Sequence, residues 1–307
     1  MSEWPTIALL CGGPSGERDV SLASAAAVRR ALESAAVRVV QIDVEPRRIQ
    51  AQLAESGADF VFNVCHGQFG EDGLLQACLE ASGLPYTGSG VLASALAMDK
   101  WRSKRLWQAA GLPTTRGRRL RRGEAPDPLR ISQWPVFVKP NRAGSSLGIS
   151  RVERAEDLGE AMARAFAVDS EILVEEAVLG LEATVGIVGE RAMPPIVIRP
   201  HRLFYDYEAK YLADDTEYLL PSGLPAATER RLQELALQAF RELDGCDWGR
   251  VDFLVDDRQD IYLLELNAVP GMTDHSLIPM AAKAMGWSMT ELCLEIVSTA
   301  QRRWNRG

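Results

Sequence analysis

Several features that would assign this chain to a common class are missing from its sequence. No run of about 18 apolar residues occurs, so a membrane-spanning helix is not expected. The first residues lack a basic segment followed by an apolar one, so we expect no secretory signal. Acidic residues outnumber basic ones, 42 to 34, and a net charge of −8 argues against a nucleic-acid-binding protein. We therefore expect a cytoplasmic protein with neither a nucleic-acid nor a membrane partner.

Motifs of several enzyme classes are also absent. The five cysteines form no CxxC pair, which favours buried, reduced thiols over disulfides or metal ligands. No GxxxxGK[ST] motif is present, so this is not a P-loop enzyme. The loop at residues 11–16 lacks the first glycine of GxGxxG, and no acidic residue follows at the expected spacing. A dinucleotide-binding fold, and with it an NAD-dependent oxidoreductase, is therefore not expected.

What is present is a regular order of elements in a chain of 307 residues, long enough for two or three subdomains. Strand patterns occupy residues 6–11, 37–44 and 58–65, and helix patterns occupy residues 21–34 and 47–56. Strands that alternate with helices predict a doubly wound parallel sheet of the α/β class. A single long helix is predicted over residues 91–110, where Gly111 ends it.

The second half of the chain is predicted to be richer in strands. Four strand patterns and one helix occupy residues 135–198 and indicate a small α+β lid domain. Residues 116–122 hold five arginines, which we interpret as a solvated connector, with a nucleic-acid patch as the alternative. Residues 205–221 have no periodicity and predict a long functional loop. A clear amphipathic helix covers residues 228–243.

Residues 249–271 are predicted to form a hairpin with unusual polar side chains. If the hairpin is symmetric about the 258–259 bond, Asp252 lies opposite Glu265. Side chains repeat with a period of two along a strand, so four polar residues share one face. These residues are Arg250, Asp252, Glu265 and Asn267.

Two carboxylates directly opposite each other repel by about 3 kcal/mol at an effective dielectric near 20. A cation between Asp252 and Glu265 removes that cost. Asp252, Glu265 and Asn267 offer only hard oxygen ligands, which favour Mg²⁺ or Mn²⁺ over zinc. The alternative is a solvated hairpin face on which Arg250 neutralises its neighbours. Polar residues that follow at once, at 270–276, favour the metal site.

The segment at residues 139–148 is the best candidate for a phosphate-binding loop. Lys139 ends a strand, and two glycines and two serines follow it. Small residues let backbone N–H groups approach phosphate oxygens closely. Lys100 could supply a second positive charge. The alternative is an ordinary turn.

In its motifs, the sequence resembles the D-alanine–D-alanine ligase family of the ATP-grasp superfamily over nearly its whole length. The motifs that carry the resemblance are GGPSGERDVSL (12–22), CHGQFGEDG (65–73), GLPYTGSG (83–90), MDK (98–100), VKPNRAGSSLG (138–148), YDYEAKY (205–211), GRVDF (249–253) and LLELNAVPGMTDHS (263–276). The resemblance implies three domains: an N-terminal substrate domain at 1–95, a central ATP-grasp lid at 96–180 and a C-terminal domain at 181–307. It also implies that residues 205–221 form a lid.

The resemblance further implies an ATP-dependent reaction in which two D-alanine molecules are joined through an acyl phosphate, for cell-wall peptidoglycan. ADP and phosphate are released, and a homodimer is the family expectation. ATP would be bound by Lys100, Lys139, Ser145, Glu175, Glu176, Ala177, Glu182 and Lys210. Two Mg²⁺ or Mn²⁺ ions would be bound by Asp252, Glu265 and Asn267.

The remaining roles implied by the resemblance concern the two amino acids. Glu17 and His66 would hold the first D-alanine, and Ser276 and Leu277 the carboxylate of the second. Arg250 and the Gly271 N–H would stabilise the transferring phosphoryl group and the oxyanion. A hydrogen-bonded trio would link three parts of the chain: Glu17, Ser145 and Tyr211.

The sequence departs from the family pattern at a few positions. Glu176 stands where relatives often have Lys or Gln, and Gln68-Phe69 is unusual beside His66. Tyr211 favours a dipeptide product over a depsipeptide. Two alternatives stay open: an ATP-grasp ligase for other acids, and a catalytically silent nucleotide-binding regulator, which the intact Arg250 disfavours.

Overall fold

The computed structural model of the protein describes residues 4–124, 134–144, 147–199 and 216–305. Three predicted site residues lie outside this part of the chain: Ser145, Lys210 and Tyr211. Most of the predicted loop at residues 205–221 lies outside it as well. Within the described part, no helix is long and apolar enough to cross a bilayer.

The N-terminal part is a parallel sheet covered on both faces, as predicted. Its elements are β1 (Ile7–Cys11), α1 (Arg18–Ser34), β2 (Val39–Asp43), α2 (Ile49–Ser56), β3 (Phe60–Asn63) and α3 (Leu74–Ser82). The strands are ordered β2-β1-β3. Ile7 and Leu9 point into one apolar core and Ala8 and Leu10 into another, so the central strand is buried on both sides.

The next two helices correct the prediction of one helix over residues 91–110. The segment forms α4 (Val91–Met98) and α5 (Lys100–Ala109), because Asp99 is extended, with φ −92° and ψ 92°. The Asp99 carboxylate accepts the Arg102 N–H at 2.9 Å and caps α5. A side chain that can bond its own backbone offers an alternative to a continuous helix. The break makes Lys100 the first residue of α5.

The central part is an antiparallel sheet with a helix on one face. Its elements are β4 (Gly117–Arg121), β5 (Val136–Pro140), β6 (Ser150–Val152), α6 (Leu158–Val168) and β7 (Glu171–Glu176), and the strands are ordered β4-β7-β5-β6. The arginine-rich segment, which was predicted to be a connector, forms edge strand β4. Arg119 and Arg121 both pair with Glu171, at 3.4 and 3.1 Å, so the charges of this strand are partly used within the sheet.

The C-terminal part is built on a third, larger sheet. Its elements are β8 (Gly180–Val188), β9 (Arg191–Ala192), β10 (Ile196–Arg199), β11 (Glu217–Leu219), α7 (Ala226–Glu242), β12 (Trp248–Asp256), β13 (Ile261–Asn267), α8 (Leu277–Ala284) and α9 (Met289–Trp304). The main order is β11-β10-β8-β12-β13. Strand β11 lies inside the segment that was predicted to be a loop. The amphipathic stripe predicted for α7 is confirmed, since Leu232, Leu235 and Ala239 are buried.

Strands β12 and β13 form the predicted hairpin and bring the predicted residues opposite each other. The hairpin is not symmetric about the 258–259 bond along its whole length, as was assumed. Asp252 pairs with Glu265, but Phe253 pairs with Leu263, so Leu264 is an extra residue on β13. This β-bulge changes the face on which successive side chains lie. Arg250, Asp252, Glu265 and Asn267 share one face because the bulge accommodates Leu264 between the turn and the site.

The burial pattern of β13 records this change of face. Ile261 and Leu263 are buried on the turn side of the bulge, whereas Leu266 is buried beyond it. If Leu264 were in regular alternation instead of in a bulge, Glu265 and Asn267 would lie on the same face as the core residues Ile261 and Leu263.

Candidate active site

A cavity of about 550 Å³ lies where the N-terminal sheet meets the β12–β13 hairpin. Its wall also includes the α4–α5 junction and the loop between β13 and α8. Many residues singled out by the sequence meet here although they are far apart in the chain. The predicted residues that line it are Glu17, His66, Lys100, Arg250, Glu265, Asn267, Gly271, Ser276 and Leu277.

Asp252 lies beside the cavity wall and is densely hydrogen-bonded. The Arg250 guanidinium donates to both of its oxygens, each at 2.9 Å. The Asn267 amide donates at 2.9 Å, and the Thr184 hydroxyl at 2.5 Å. Asp252 as a whole is only 6% exposed, so its carboxylate is buried. Arg250 thus neutralises Asp252, as the alternative interpretation of the hairpin expected.

Glu265 has a different cationic partner. Its carboxylate lies 3.1 Å from the Lys100 ammonium, which also donates to the Ala143 carbonyl at 2.9 Å. Glu265 is 26% exposed and faces the cavity. In the described part of the chain no cluster of three or more His, Cys, Asp or Glu side chains could hold a metal. The available donors are two carboxylates and one carboxamide, whose hard oxygens fit Mg²⁺ or Mn²⁺.

His66 is fixed by hydrogen bonds that cross between the two parts of the molecule. Its Nδ1 lies 2.9 Å from the Val269 carbonyl and its Nε2 lies 3.2 Å from the Ser24 hydroxyl. Because a carbonyl can only accept, Nδ1 carries the proton. Burial lowers the pKa of His66 despite the opposing effect of Glu17, so the ring is neutral at pH 7.

Gly67, in the loop after β3, lies close to the carboxylates of both Glu17 and Glu71. It has φ +69°, and a Cβ there would lie 2.8 Å from Glu17 Oε2, so a larger residue does not fit. On its other side, the Gly67 N–H bonds to the carboxylate of Glu71, which lines the cavity. Burial, and then the charge of Glu17, raise the pKa of Glu71 to about 8. Glu71 was not among the predicted site residues, although it lies within the motif at residues 65–73.

The part of the cavity wall formed by the start of α8 is suited to anions. Ser276 is the N-cap residue of α8, and its hydroxyl accepts the Thr273 N–H at 2.9 Å. The first N–H groups of the helix, beginning at Leu277, have no partner within the helix and carry a partial positive charge. A Cβ at Gly271 would lie 2.8 Å from the Ser276 hydroxyl, so the two segments are in close contact.

The residues predicted to bind a nucleotide lie mainly on the central sheet. Lys139 is the last but one residue of β5, and its ammonium lies 2.5 Å from Glu175 Oε2. The ammonium of a second lysine, Lys104, lies 3.3 Å from Glu175 Oε1. Lys104 was not among the predicted site residues. The two backbone N–H groups that were predicted to contact the adenine, those of Glu176 and Ala177, lie at the end of β7. The Glu176 N–H donates to Arg116 O, and the Ala177 N–H to Pro135 O. A base at this edge would therefore have to meet carbonyl groups rather than these two N–H groups.

Comparison with known proteins shows which family this chain resembles. Residues 106–298 match the family model described as D-ala D-ala ligase C-terminus, and residues 45–89 match the one described as D-ala D-ala ligase N-terminus. The chain is 48% identical over 300 residues to D-alanine–D-alanine ligase B of Chromobacterium violaceum, covering 97% of this chain and 99% of that protein. It is 47% identical to the D-alanine–D-alanine ligase of Alkalilimnicola ehrlichii, covering 97% and 95%.

Solved structures show the same fold. The D-alanine–D-alanine ligase of Bacillus anthracis complexed with ATP superposes with a TM-score of 0.88 at 30% identity, covering 99% of this chain and 100% of that one. The VanG D-Ala:D-Ser ligase of Enterococcus faecalis superposes with a TM-score of 0.84 at 29% identity, covering 96% and 99%. Similarity extends over the full length in both cases, so all three sheets belong to the shared fold.

Proposed function

Since the chain belongs to the D-alanine–D-alanine ligase family, we propose that its cavity is the place where ATP drives the joining of two D-alanine molecules. The enzyme is an ATP-dependent ligase of the ATP-grasp fold, and the family implies a role in peptidoglycan synthesis. A carboxylate oxygen of the first D-alanine attacks the γ-phosphorus of ATP and releases ADP. The amine of the second then attacks the acyl carbon, loses a proton and displaces phosphate.

The observation that carries this proposal is that one cavity is lined by both an acidic group and an anion site. Glu17 and neutral His66 come from the N-terminal part, and the Glu17 carboxylate can accept hydrogen bonds from the ammonium of the first D-alanine. Ser276 and the first N–H groups of α8 come from the C-terminal part, and the helix terminus favours the carboxylate of the second. A cavity that offers both a carboxylate and an anion site suits two amino acids.

Arg250 lines the same cavity and is the residue we propose to act on the reacting groups. Its guanidinium lines the cavity while two of its nitrogens hold Asp252. Fixed in this way, it can place its charge beside the transferring phosphoryl group and the tetrahedral oxyanion without reorganising. The Gly271 N–H is the proposed second donor to the oxyanion. Transfer of the γ-phosphate needs mainly positioning and charge neutralisation, which these groups supply.

We propose that the phosphates of ATP are bound by Lys100 and Lys139, and that Glu175, Glu176, Ala177 and Glu182 surround the adenosine. The metal site consists of Asp252, Glu265 and Asn267, whose oxygens fit two Mg²⁺ or Mn²⁺ ions. Such ions, when bound, neutralise charge on the phosphates.

We also propose an assembly and a location. The domain boundaries at residues 95 and 180 remain those proposed from the sequence. A cytoplasmic location is supported by the five free cysteines. A homodimer is supported by exposed apolar side chains at the starts of α3 and α4, where Leu74, Val91 and Leu92 are 55%, 38% and 60% exposed. Sedimentation of the wild type and of Leu92→Glu tests it, since the substitution should yield monomers.

Phosphate release from ATP with single amino acids tests the function. D-alanine should support release, whereas L-alanine and D-lactate should not. D-serine, tested together with D-alanine, separates this activity from that named for the VanG relative. A protein that binds ATP but releases no phosphate with D-alanine would contradict the proposal and favour a silent nucleotide-binding regulator.

A further inference from the structure

Lys104 is a buried lysine that none of the roles above uses. Its side chain, on the second turn of α5, is only 3% exposed. The ammonium donates to the Thr115 hydroxyl at 2.6 Å and to the Thr114 hydroxyl at 3.3 Å. Its third neighbour is the Glu175 carboxylate, 3.3 Å away. Lysine is rarely buried to this degree unless its charge is paired, so the pairing indicates what the residue does.

Glu175 is shared between two lysines. Oε1 faces Lys104, whereas Oε2 lies 2.5 Å from the Lys139 ammonium and accepts the Thr115 hydroxyl at 3.1 Å. Lys139 is the outermost of the three charged groups, with 11% of its side chain exposed against 3% for Glu175. The cluster of Lys104, Lys139 and Glu175 therefore contains two cations and one anion.

The ionisation of these groups supports that count. Burial lowers the pKa of Lys104 to about 8, against the attraction of Glu175, and the ammonium form still predominates at pH 7. Burial alone would raise the pKa of Glu175, but Lys104 and Lys139 together hold it below its ordinary value. At neutral pH the cluster therefore carries one positive charge that no group within it compensates.

We infer that Lys104 is a positioning residue of the nucleotide site, which keeps Lys139 available to a phosphate by taking a share of Glu175. The inference rests on the proposed function, in which Lys139 meets the phosphates of ATP. Without Lys104, the carboxylate would form a one-to-one ion pair with Lys139, and a phosphate would have to compete for that lysine. With Lys104 in place, the cluster keeps one excess positive charge, and a phosphate that binds to Lys139 neutralises it.

The test compares Lys104→Met with wild type by calorimetric titration of ATP with Mg²⁺, in the absence of D-alanine. The Kd for ATP is expected to rise about tenfold or more, because a charge-assisted contact to phosphate is weakened. Adenosine, which has no phosphates, is expected to bind to both proteins within about twofold. Lys283→Met, at an exposed lysine of α8, is the matched control and should leave both affinities unchanged.

A second comparison tests whether the effect passes through Glu175. In a Glu175→Gln background, Lys104→Met should change the Kd for ATP by less than about twofold, because the shared carboxylate is gone. An effect of the same size in both backgrounds would overturn the inference. So would an equal loss of ATP and adenosine binding, which indicates general damage to the site.

Two further variants keep the test decisive if Lys104→Met does not fold. Lys104→Gln removes the charge but can still hydrogen-bond the Thr115 hydroxyl, and it should show the same selective loss of ATP affinity. Lys104→Arg keeps the charge and should stay within about threefold of wild type. A wild type that binds no ATP would refute the proposed function itself, whereas a wild type that binds ATP and an unaffected Lys104→Gln would refute only the role of Lys104.

Discussion

Arg303, near the end of α9, holds Asp247, which directly precedes β12, through two nitrogens, with Nε 3.0 Å from Oδ1 and Nη2 2.8 Å from Oδ2. The same Nη2 reaches the carbonyls of Tyr86 and Gly88, at 2.9 and 3.1 Å, in the N-terminal part. Asp247 also accepts the Gly88 N–H at 2.9 Å. This ion pair therefore ties the last helix, the start of the hairpin and the N-terminal part together.

Arg303→Ala is expected to lower the free energy of unfolding by about 3 kcal/mol, because it leaves the buried Asp247 carboxylate without its cation. Urea unfolding followed by tryptophan fluorescence measures the change. Arg302→Ala is the control, since that neighbour is 54% exposed and its pair with Glu295 lies on the surface. Equal effects of the two substitutions would show that the pair with Asp247 adds nothing.

Arg250→Ala is expected to abolish measurable turnover, with a loss of at least about a thousandfold, while the Kd for ATP stays within about tenfold. The side chain is proposed to stabilise charge that develops during the reaction rather than to bind the ground state. Steady-state phosphate release and ATP titration separate the two quantities. Arg258→Ala, at the exposed turn of the same hairpin, should retain normal turnover. A parallel loss of ATP binding in Arg250→Ala would contradict this assignment.

Glu265→Gln is expected to raise the Mg²⁺ concentration that gives half-maximal activity by about tenfold or more, because a carboxamide is a weaker ligand than a carboxylate. The measurement is phosphate release against free Mg²⁺ after removal of metal with a chelator. Mn²⁺ should restore activity as well, whereas Zn²⁺ should not. Asp257→Asn, exposed in the hairpin turn, should leave the Mg²⁺ dependence unchanged. An identical shift there would indicate a general effect of charge.

Glu71→Gln is expected to stabilise the substrate-free protein at pH 8 more than at pH 5. The pKa of Glu71 is raised to about 8 in the folded protein, and in the unfolded chain it is about 4.3. The folded state therefore binds a proton that the unfolded state releases, and wild-type stability falls as pH rises between these values. Glutamine does not titrate, so the difference in Tm, variant minus wild type, should become more positive with pH.

The control for this pH series is Glu55→Gln, at a side chain that is 67% exposed. Its difference in Tm from wild type should stay flat between pH 5 and pH 8. A flat difference for Glu71→Gln as well would show that Glu71 is already ionised in the fold.

The hairpin shows how much local pattern can predict. Alternation along each strand and the position of the turn were enough to place Asp252 opposite Glu265, although the assumed symmetry hid the bulge. The bulge had a signal of its own: the apolar residues Ile261, Leu263 and Leu266 interrupt a period of two. The prediction of the facing pair was correct because the position of these carboxylates is set by the strands that carry them.

The partners of each charge could not be predicted in the same way. Lys139 meets Glu175 because β5 pairs with β7, with Phe137 opposite Glu175 and Lys139 diagonal to it on the same face. That pairing depends on the order β4-β7-β5-β6, which the local pattern does not contain. Lys104 was missed for the same reason, since a lysine on an amphipathic helix is usually solvated and only tertiary packing buries it.

The extra residue of β13 also has a genetic consequence. Which side chains of this strand reach the cavity depends on how the extra backbone unit at Leu264 is accommodated, and not on the leucine side chain itself. Missense changes at that codon that preserve the bulge can leave Glu265 and Asn267 in place. Loss of the codon would remove the bulge, and Glu265 would then follow Leu263 directly, still opposite Asp252 and on the cavity face. An in-frame deletion of Leu264 would therefore shorten the hairpin by one residue and leave its charged residues facing the cavity.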